Sequence, residues 1–542
     1  TFKTGSSRDQ GCLLPSRVED YVGPDNPVRA IEIFVDALDL EAKGFRHAGR
    51  EVGVGQPPYD PADLLKLYLY GYLNRVRSSR LLERETGRNL EVMWLLRGLQ
   101  PGYRTIAKFR RENWSALKQA NQDFVLVARG LDLVGGTLIA VDGAFFHGDA
   151  SKASIKTRKK LKKELAALVA SIEAYRADLD AADAAEAEPV AGGEGGGGEG
   201  GGGKSGEGLR ERVAALMAER AKAEADLKRL EESGESQLSR TDGDARLLSK
   251  SGQKVSGYNV QIAVDEKHKL IVESEVVNDG NDTGQLDRMA EAAKETLGVE
   301  TLQVVADGGY YNGAALKRCE EAGIVAYVPE SERSGRLAAQ GRFPHRDFTY
   351  EAGIDAYRCP AGQLLRPTKT PKKNGDRIEI RYVSRKPVCD ACPLRERCVT
   401  PKQPTREILR WEHEDVIERH RERMKGADGM MRRRAALVEH PFGTLKCRAG
   451  YRHFLVRGFD KVRGEWGLMA LCYNFSRVLR ILGFDRFKAL IARAVTQALL
   501  RPHAAQSALL RAEALLRALA TAIGAMPTQM RHHPRPERLQ HP

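Results

Sequence analysis

Apolar residues keep a helical rhythm over roughly the first 130 positions. Asp60 followed by Pro61 is an N-cap and first-turn pair, and Leu64, Leu65, Tyr68, Leu69 and Tyr72 then recur at helical spacing. Leu81, Leu82 and Glu85 ahead of Gly87 predict a second helix with a glycine stop; Leu90–Leu96 and Thr105–Asn121 predict two more. The pattern then changes. Thr137 to His147 reads TLIAVDGAFFH, an apolar run that breaks at Asp142 and Gly143, and far downstream LQVVADGGYYN repeats it around Asp307, Gly308 and Gly309. Such runs bounded by glycine predict buried strands, each with an aspartate at or near its end.

Further strands are predicted at Gly257–Val264, Leu270–Val277 and Ile324–Pro329, with helices at Gln285–Leu297 and Gly313–Ala322. An insertion over residues 154–238 separates the first strand from these. Leu161, Leu165, Leu168, Ile172, Tyr175 and Leu179 alternate by four and three, and Leu209, Val213, Leu216, Ala223, Leu227 and Leu230 keep the same rhythm, broken only at Arg220. The glycine-rich run 192–203 between them cannot hold a core and reads as a flexible linker, so two heptad helices are expected to form an antiparallel hairpin. Such a hairpin is a solvated protrusion, a dimer contact or a DNA clamp.

The 542 residues are enough for several domains and a large core, and a net charge of +14 favours a polyanionic partner. No stretch reaches the ~18 uninterrupted apolar residues of a membrane span, and the N-terminus carries no signal-peptide core, so the expectation is a soluble, cytoplasmic protein with no membrane partner. Eight cysteines are too few and too scattered for a disulfide framework. Four of them nevertheless stand together: Cys359, Cys389, Cys392 and Cys398 form CP…CDACPLRERC. That spacing can close a tetrahedral S₄ zinc site. An iron–sulfur cluster and four unrelated thiols are the alternatives. Surrounding prolines and basic residues suggest a loop-rich module with little core unless metal is bound.

Asp142 and Asp307 on strands, with one glutamate from LVEHPFGTLK in a basic helical stretch, are what a two-metal phosphodiester site needs. Carboxylates are hard oxygen ligands for Mg²⁺ or Mn²⁺, and paired ions can stabilise attacking and leaving oxygens. The order VDGAFF, ADGGYYN, VEHPFGTLK resembles the DDE transposases of bacterial insertion sequences. DGDARLLSKSGQKVSGYNVQIAVDEKHKLIVESEVVNDGNDTGQL (Asp242 to Leu286) resembles that family's second and third strands with the following helix, and Leu64 to Asn113 its helical N-terminal DNA-binding domain. The resemblance spans roughly Leu14 to Phe484.

It implies an α/β fold: an RNase H-like mixed sheet with flanking helices, an all-α N-terminal domain, a helical-hairpin insertion and a small Cys-rich insertion. The expected division is 14–130 for the DNA-binding helices and 131–484 for the catalytic domain, which carries the hairpin (154–238) and the Cys₄ module (331–404). A basic, Ala-rich and partly disordered tail occupies 485–542. Two Mg²⁺ or Mn²⁺ ions at Asp142, Asp307 and Glu439, a structural Zn²⁺ at the four cysteines, double-stranded DNA (element ends and target) and a homodimer or higher assembly on DNA complete the expectation. Arg80, Arg104, Lys108 and Arg110 are expected to contact DNA from the N-terminal helices, and Arg434 and Lys446 from the segment around Glu439. Family members often carry a tyrosine and an arginine before this glutamate and a lysine after it; here Lys446 matches, Arg434 approximately, and no tyrosine is evident. Glu418, Glu422 and Glu465 are rival acids, and Pro441 is expected to kink or interrupt the helix just after Glu439. Asp149, Asp242, Asp244, Asp279 and Asp282 are further acids near the strands, Asp242 and Asp244 being expected to serve structure. Two other functions share these features: a domesticated DNA-binding protein that keeps only the fold, and a stand-alone RNase H-like nuclease.

Overall fold

Six α-helices dominate the first part of the chain, and side-chain caps start three of them. The computed structural model describes residues 17–49, 57–187, 203–250, 252–330, 339–374, 377–400, 403–489 and 491. Helix α1 (Pro27–Asp36) starts at Asn26, whose side chain accepts from the Val28 amide; α2 (Pro61–Leu73) starts at Asp60, which accepts from Ala62 N. Then come α3 (Ser79–Thr86), α4 (Leu90–Leu95), α5 (Tyr103–Glu112) and α6 (Trp114–Gly130). Residues 64–72 of α2 are buried on every side, so this helix runs through the middle of the cluster.

The sheet follows. Strand β1 (Leu138–His147) leads to the short β2 (Ile155–Thr157), helices α7 (Arg158–Ala187) and α8 (Gly203–Glu232), β3 (Gln237–Ser239), β4 (Arg246–Lys250), β5 (Gln253–Asp265) and β6 (Ile271–Val277). Helix α9 (Leu286–Leu297), β7 (Leu302–Val305), α10 (Gly313–Glu321) and β8 (Ile324–Tyr327) complete it. β1 pairs antiparallel with β5 and parallel with β7; β5 pairs antiparallel with β6, and β7 parallel with β8. The spatial order is β6–β5–β1–β7–β8, with β4 beside the first half of β5. The fold is thus mixed α/β around a mixed sheet.

Between β2 and β3, helices α7 and α8 pack against each other. Leu161, Ala223 and Leu230 are buried between α7 and α8, with Leu165, Leu168 and Leu227 packed around them. The base of this pair is the two-stranded β2–β3 ladder, latched by Lys156–Glu164 (2.7 Å) and Arg240–Asp226 (2.5 Å). The linker 192–202 lies outside the described residues, as does most of the tail.

The cysteine-bearing segment differs from its expectation. Instead of a loop-rich module with little core, it forms a second, wholly antiparallel sheet: β9 (Thr349–Glu351), β10 (Ala356–Arg358), β11 (Leu364–Pro367), β12 (Lys372–Asn374), β13 (Arg377–Val383) and β14 (Glu407–Trp411). Phe348, Tyr357, Leu365, Tyr382 and Ile408 fill one face. Aromatic and β-branched residues suit a half-buried pleated surface, and they give this unit a core without any metal. Two short helices, α11 (Lys386–Asp390) and α12 (Arg395–Cys398), lie between β13 and β14. Helices α13 (Glu414–Met424), α14 (Asp428–Gly443) and α15 (Phe459–Leu482) follow, and residues 484–489 add a last helical stretch.

One hydrophobic core runs from Val22 to Ile491, so the N-terminal helices and the main sheet share it. α15 forms the seam. Glu465 on α15 is fully buried; Arg77 Nη1 lies 3.3 Å from its Oε1, and Leu455 N donates to its Oε2 at 2.9 Å. Burial pushes the Glu465 carboxyl up, while Arg110 and Arg77 pull it down. Asn474 adds amide bonds to both backbone groups of Ile271 and to Asn121 on α6. Asp242 accepts from Tyr258 Oη (2.7 Å) and Gly458 N (3.0 Å), and Asp244 from Phe459 N (2.9 Å), so both acids hold the start of α15.

Candidate active site

Sheet register places the two aspartates side by side. Ala140 of β1 pairs with Val305 of β7, so Asp142 and Asp307, each two residues further on, leave adjacent parallel strands at the same level. Asp142 stands within β1 rather than at its end, because β1 continues to His147 against β5. β7 stops at Val305 and opens that edge. Asp307 then caps the 3₁₀ turn Gly308–Tyr310, its Oδ1 accepting from Gly309 N at 2.8 Å.

Arg434 of α14 joins them. Its Nη1 lies 3.8 Å from Asp142 Oδ1 and 3.6 Å from Asp307 Oδ2. A single cationic nitrogen thus sits between two carboxylates whose mutual repulsion calls for positive charge. Arg434 was expected on a DNA phosphate; here its charge is directed into the acids.

The same structure does not bring Glu439 to them. Glu439 is exposed, and five residues after Arg434 on a helix is a rotation of about 140°, so the two cannot share a face. Among the described residues no group of three or more His, Cys, Asp or Glu side chains is close enough to hold a metal ion. Pro441 does not end the helix: α14 continues to Gly443 and widens into a π turn over Thr444–Arg448. Lys446 is carried round by that turn. Its Nζ donates to Phe145 O of β1 at 2.8 Å and lies 4.5 Å from the Phe146 ring centre, so it ties the segment to the strand. The rival glutamates are engaged elsewhere: Glu418 with Arg410 (2.5 Å), Glu422 with Lys425 (2.5 Å), and Glu465 in the buried seam.

A polar layer that sequence reasoning missed lies beneath the aspartates. Asn259 and Gln261 are fully buried on β5, and Asp282, in the loop before α9, is 5% exposed. Asn259 Nδ2 and Gln261 Nε2 both donate to Asp282 Oδ1, at 2.9 and 2.8 Å, and Tyr310 Oη donates to Gln261 Oε1. Burial pushes the Tyr310 hydroxyl well up, and the charges of Asp282, Asp142 and Asp307 push it further. The available signal was polar residues two apart inside an otherwise apolar strand, NVQIAV. Gly143 belongs to this layer: a Cβ there would meet Gln261 Nε2 at 2.2 Å, Asp282 Oδ1 at 2.7 Å and Asn259 Oδ1 at 3.0 Å. The glycine after Asp142 therefore marks a steric need of the site and not a turn.

Of the four N-terminal basic residues, three face solvent. Arg80 and Arg104 flank Tyr103, their guanidinium carbons 5.3 and 5.8 Å from its ring centre, and Lys108 lies one turn beyond Arg104 on α5. Arg110 corrects its expectation. It is 6% exposed, donates to Tyr72 Oη at 3.4 Å and lies over the Tyr68 ring, so it is a core cation unavailable to DNA. On α5, Ile106, Phe109 and Arg110 form the buried stripe.

Cys359, Cys389, Cys392 and Cys398 line one small cavity of about 20 Å³ with Leu365, Val388 and Arg406. None is in a disulfide, and the thiols do not close on a common centre. Cys398 is pushed up by burial and by its three neighbours, with Arg406 opposing; Arg406 Nε is buried without a hydrogen-bond partner.

Two family models match this chain: "Transposase domain (DUF772)" over residues 16–112 and "Transposase DDE domain" over residues 358–479. The second span contains the four cysteines, Arg434 and Glu439, whereas Asp142 and Asp307 precede it. No curated protein matches, and no solved structure does. No helix among the described residues is long and apolar enough to cross a membrane. Two transposase domains on one chain, one over the N-terminal helices and one over the helix that carries Arg434 to the paired aspartates, identify it as an insertion-sequence DDE transposase.

Proposed function

We propose that this transposase binds the terminal double-stranded DNA of its element and carries out divalent-metal-dependent strand cleavage and strand transfer at Asp142 and Asp307. The observation that carries this reading is the shared guanidinium nitrogen: two carboxylates from adjacent parallel strands both direct oxygens at one cation. That donor set fits Mg²⁺ or Mn²⁺, since carboxylate oxygens are the ligands such ions prefer. Bound ions supply Lewis-acid stabilisation of the attacking and leaving oxygens in an in-line displacement. Asp142 and Asp307 would hold them. Glu439 is assigned third on the sequence resemblance, its rivals being already paired, and would have to approach the aspartates from where it now stands. Arg434 is the residue that would turn to a DNA phosphate if Asp142 and Asp307 held metal instead.

The strand order β6–β5–β1–β7–β8, with its one antiparallel-to-parallel switch at β1, supports an RNase H-like sheet. Arg80, Arg104 and Lys108 around Tyr103 form the basic surface that would position DNA. We assign one structural Zn²⁺ to the four cysteines: they line one small cavity, and the half-buried Arg406 would offset part of the charge of four thiolates. Assembly as a dimer on DNA is the arrangement we expect for cutting paired ends.

The test is strand cleavage of terminal DNA with Asp142→Asn and Asp307→Asn. Each should lose cleavage and joining while still shifting terminal DNA in a binding assay. Normal cleavage by either variant refutes the site. Equal binding of random and terminal DNA would instead favour a stand-alone nuclease, and binding without any cleavage by the unaltered protein a domesticated DNA-binding protein.

A further inference from the structure

Asp282 is the acid that neither the two DG motifs nor the catalytic reading accounts for. It belongs to the loop between β6 and α9, yet its carboxylate reaches between the two strand exits of the site. On one side Oδ1 lies 2.7 Å from where a Cβ on Gly143 would stand; on the other, Oδ2 lies 3.8 Å from the corresponding position on Gly309. Asp307 Oδ1 is 2.8 Å from that same Gly309 position. Asp282 therefore packs against the strand one residue after Asp142 and lies close to the turn two residues after Asp307, on the face of β1 opposite the Asp142 side chain, since Gly143 pairs with Gln261 and Asp142 with Ile262.

Its support is built. Asn259 and Gln261 hold Oδ1, and Gln261 is itself oriented by Tyr310, which follows Asp307 in the 3₁₀ turn. Two amides fix one oxygen of the carboxylate. An asparagine could accept the same two hydrogen bonds at a smaller desolvation cost. What only an aspartate adds at this buried position is negative charge beside a site that must attract divalent cations.

We propose that Asp282 is a positioning residue of the catalytic centre, which locks the Asp142 strand and the Asp307 turn together and supplies part of the field that draws in the metal. The proposal rests on the metal-dependent reading above. It assigns Asp282 no ligand bond, since it and the two aspartates do not converge closely enough to share an ion.

The experiment measures strand cleavage of terminal DNA by the full chain against Mn²⁺ concentration. Mn²⁺ binding by electron paramagnetic resonance and thermal unfolding in EDTA are recorded alongside. Asp282→Asn keeps the acceptor and removes the charge. It should raise the half-saturating Mn²⁺ concentration about tenfold in both cleavage and resonance titrations. The maximal rate should stay within a few fold and the melting temperature in EDTA should not change. Asp282→Ala, which also frees the amides, should lower the maximal rate as well. An Asp282→Asn protein with an unaltered Mn²⁺ requirement overturns the proposal, as does one whose requirement rises only together with a lower melting temperature. If Asp282→Asn does not fold, Gln261→Met, which loosens the carboxylate but leaves it in place, must raise the Mn²⁺ requirement or the proposal falls. Asp142→Asn separates the two levels. Cleavage by that variant defeats the metal site itself, whereas its loss beside a normal Asp282→Asn defeats only the role of Asp282.

Discussion

Gly143→Ala adds one methyl group to β1 and should damage the site more than its size suggests. Gly143 does not occupy the left-handed region, so an alanine there incurs no backbone strain. By itself it should stabilise the chain by roughly 0.4–1 kcal/mol through the unfolded state. The surroundings reverse that sign. The new Cβ would stand 2.2 Å from Gln261 Nε2 and 2.7 Å from Asp282 Oδ1, and both side chains are buried and hydrogen-bonded to each other. Neither can swing into solvent. Overpacking of this kind costs about 1–3 kcal/mol. Forcing Gln261 off Asp282 leaves a buried polar group unsatisfied, at about 1–3 kcal/mol more. A net loss of about 2–4 kcal/mol is expected, read as a lower urea midpoint, with cleavage falling because Asp142 precedes the displaced backbone. Gly280→Ala is the control, since nothing lies within 4 Å of its Cβ position, and it should stay within about 0.5 kcal/mol of the parent. A Gly143→Ala protein as stable and active as the Gly280→Ala control would refute the tight-layer reasoning.

Glu465→Ala should cost about 3–5 kcal/mol by equilibrium denaturation, because it leaves Arg77 buried without its partner; a loss under 1 kcal/mol would mean the seam is wet. Purified protein should contain about one equivalent of zinc by elemental analysis, lost in Cys389→Ser, whereas a brown protein with visible charge-transfer absorption would mean iron–sulfur. His345 has both ring nitrogens buried and unpartnered, and burial, with Arg421 and Arg406, pulls it down to about 4. The unfolded chain therefore takes up a proton near pH 6.5 that the folded one refuses until about 4, and stability falls as pH drops through that window. His345→Phe should flatten the decline in urea midpoint between pH 7 and pH 5; an unchanged slope would show that His345 is not its source.

Features written in local chemistry were the ones legible in the sequence. Asp60–Pro61 marked the start of α2, the apolar runs before Asp142 and Asp307 marked β1 and β7, and the heptad leucines marked the partners that meet in the hairpin. Helical periodicity exposed α5 but not which of its basic residues points inward: Arg104 and Lys108 face solvent, while Arg110, on the same turn as buried Phe109, does not. The contact of Arg434 with the aspartates depends on how α14 crosses β1, and no spacing along the chain encodes that crossing. Asn259, Gln261 and Asp282 were illegible for a related reason. Their roles exist only once β5, the loop before α9 and Gly143 are brought together from three distant stretches. The second sheet was illegible because its strands are only three to seven residues long, too short for a period-2 pattern to stand out, and the aromatics that close its core, Tyr350, Tyr357 and Tyr382, come one from each of three strands.

The α7–α8 hairpin is a lever. Thirty residues of helix on each arm reach about 45 Å from a fulcrum only three residue pairs wide, the β2–β3 ladder. A tilt of ten degrees at the fulcrum would sweep the tip through about 8 Å. The reverse also holds: a partner gripping the tip exerts its torque where β2 departs, eight residues after the strand that carries Asp142. Force applied far from the acids would thus be delivered close to them, with Lys156–Glu164 and Arg240–Asp226 as the first bonds to feel it.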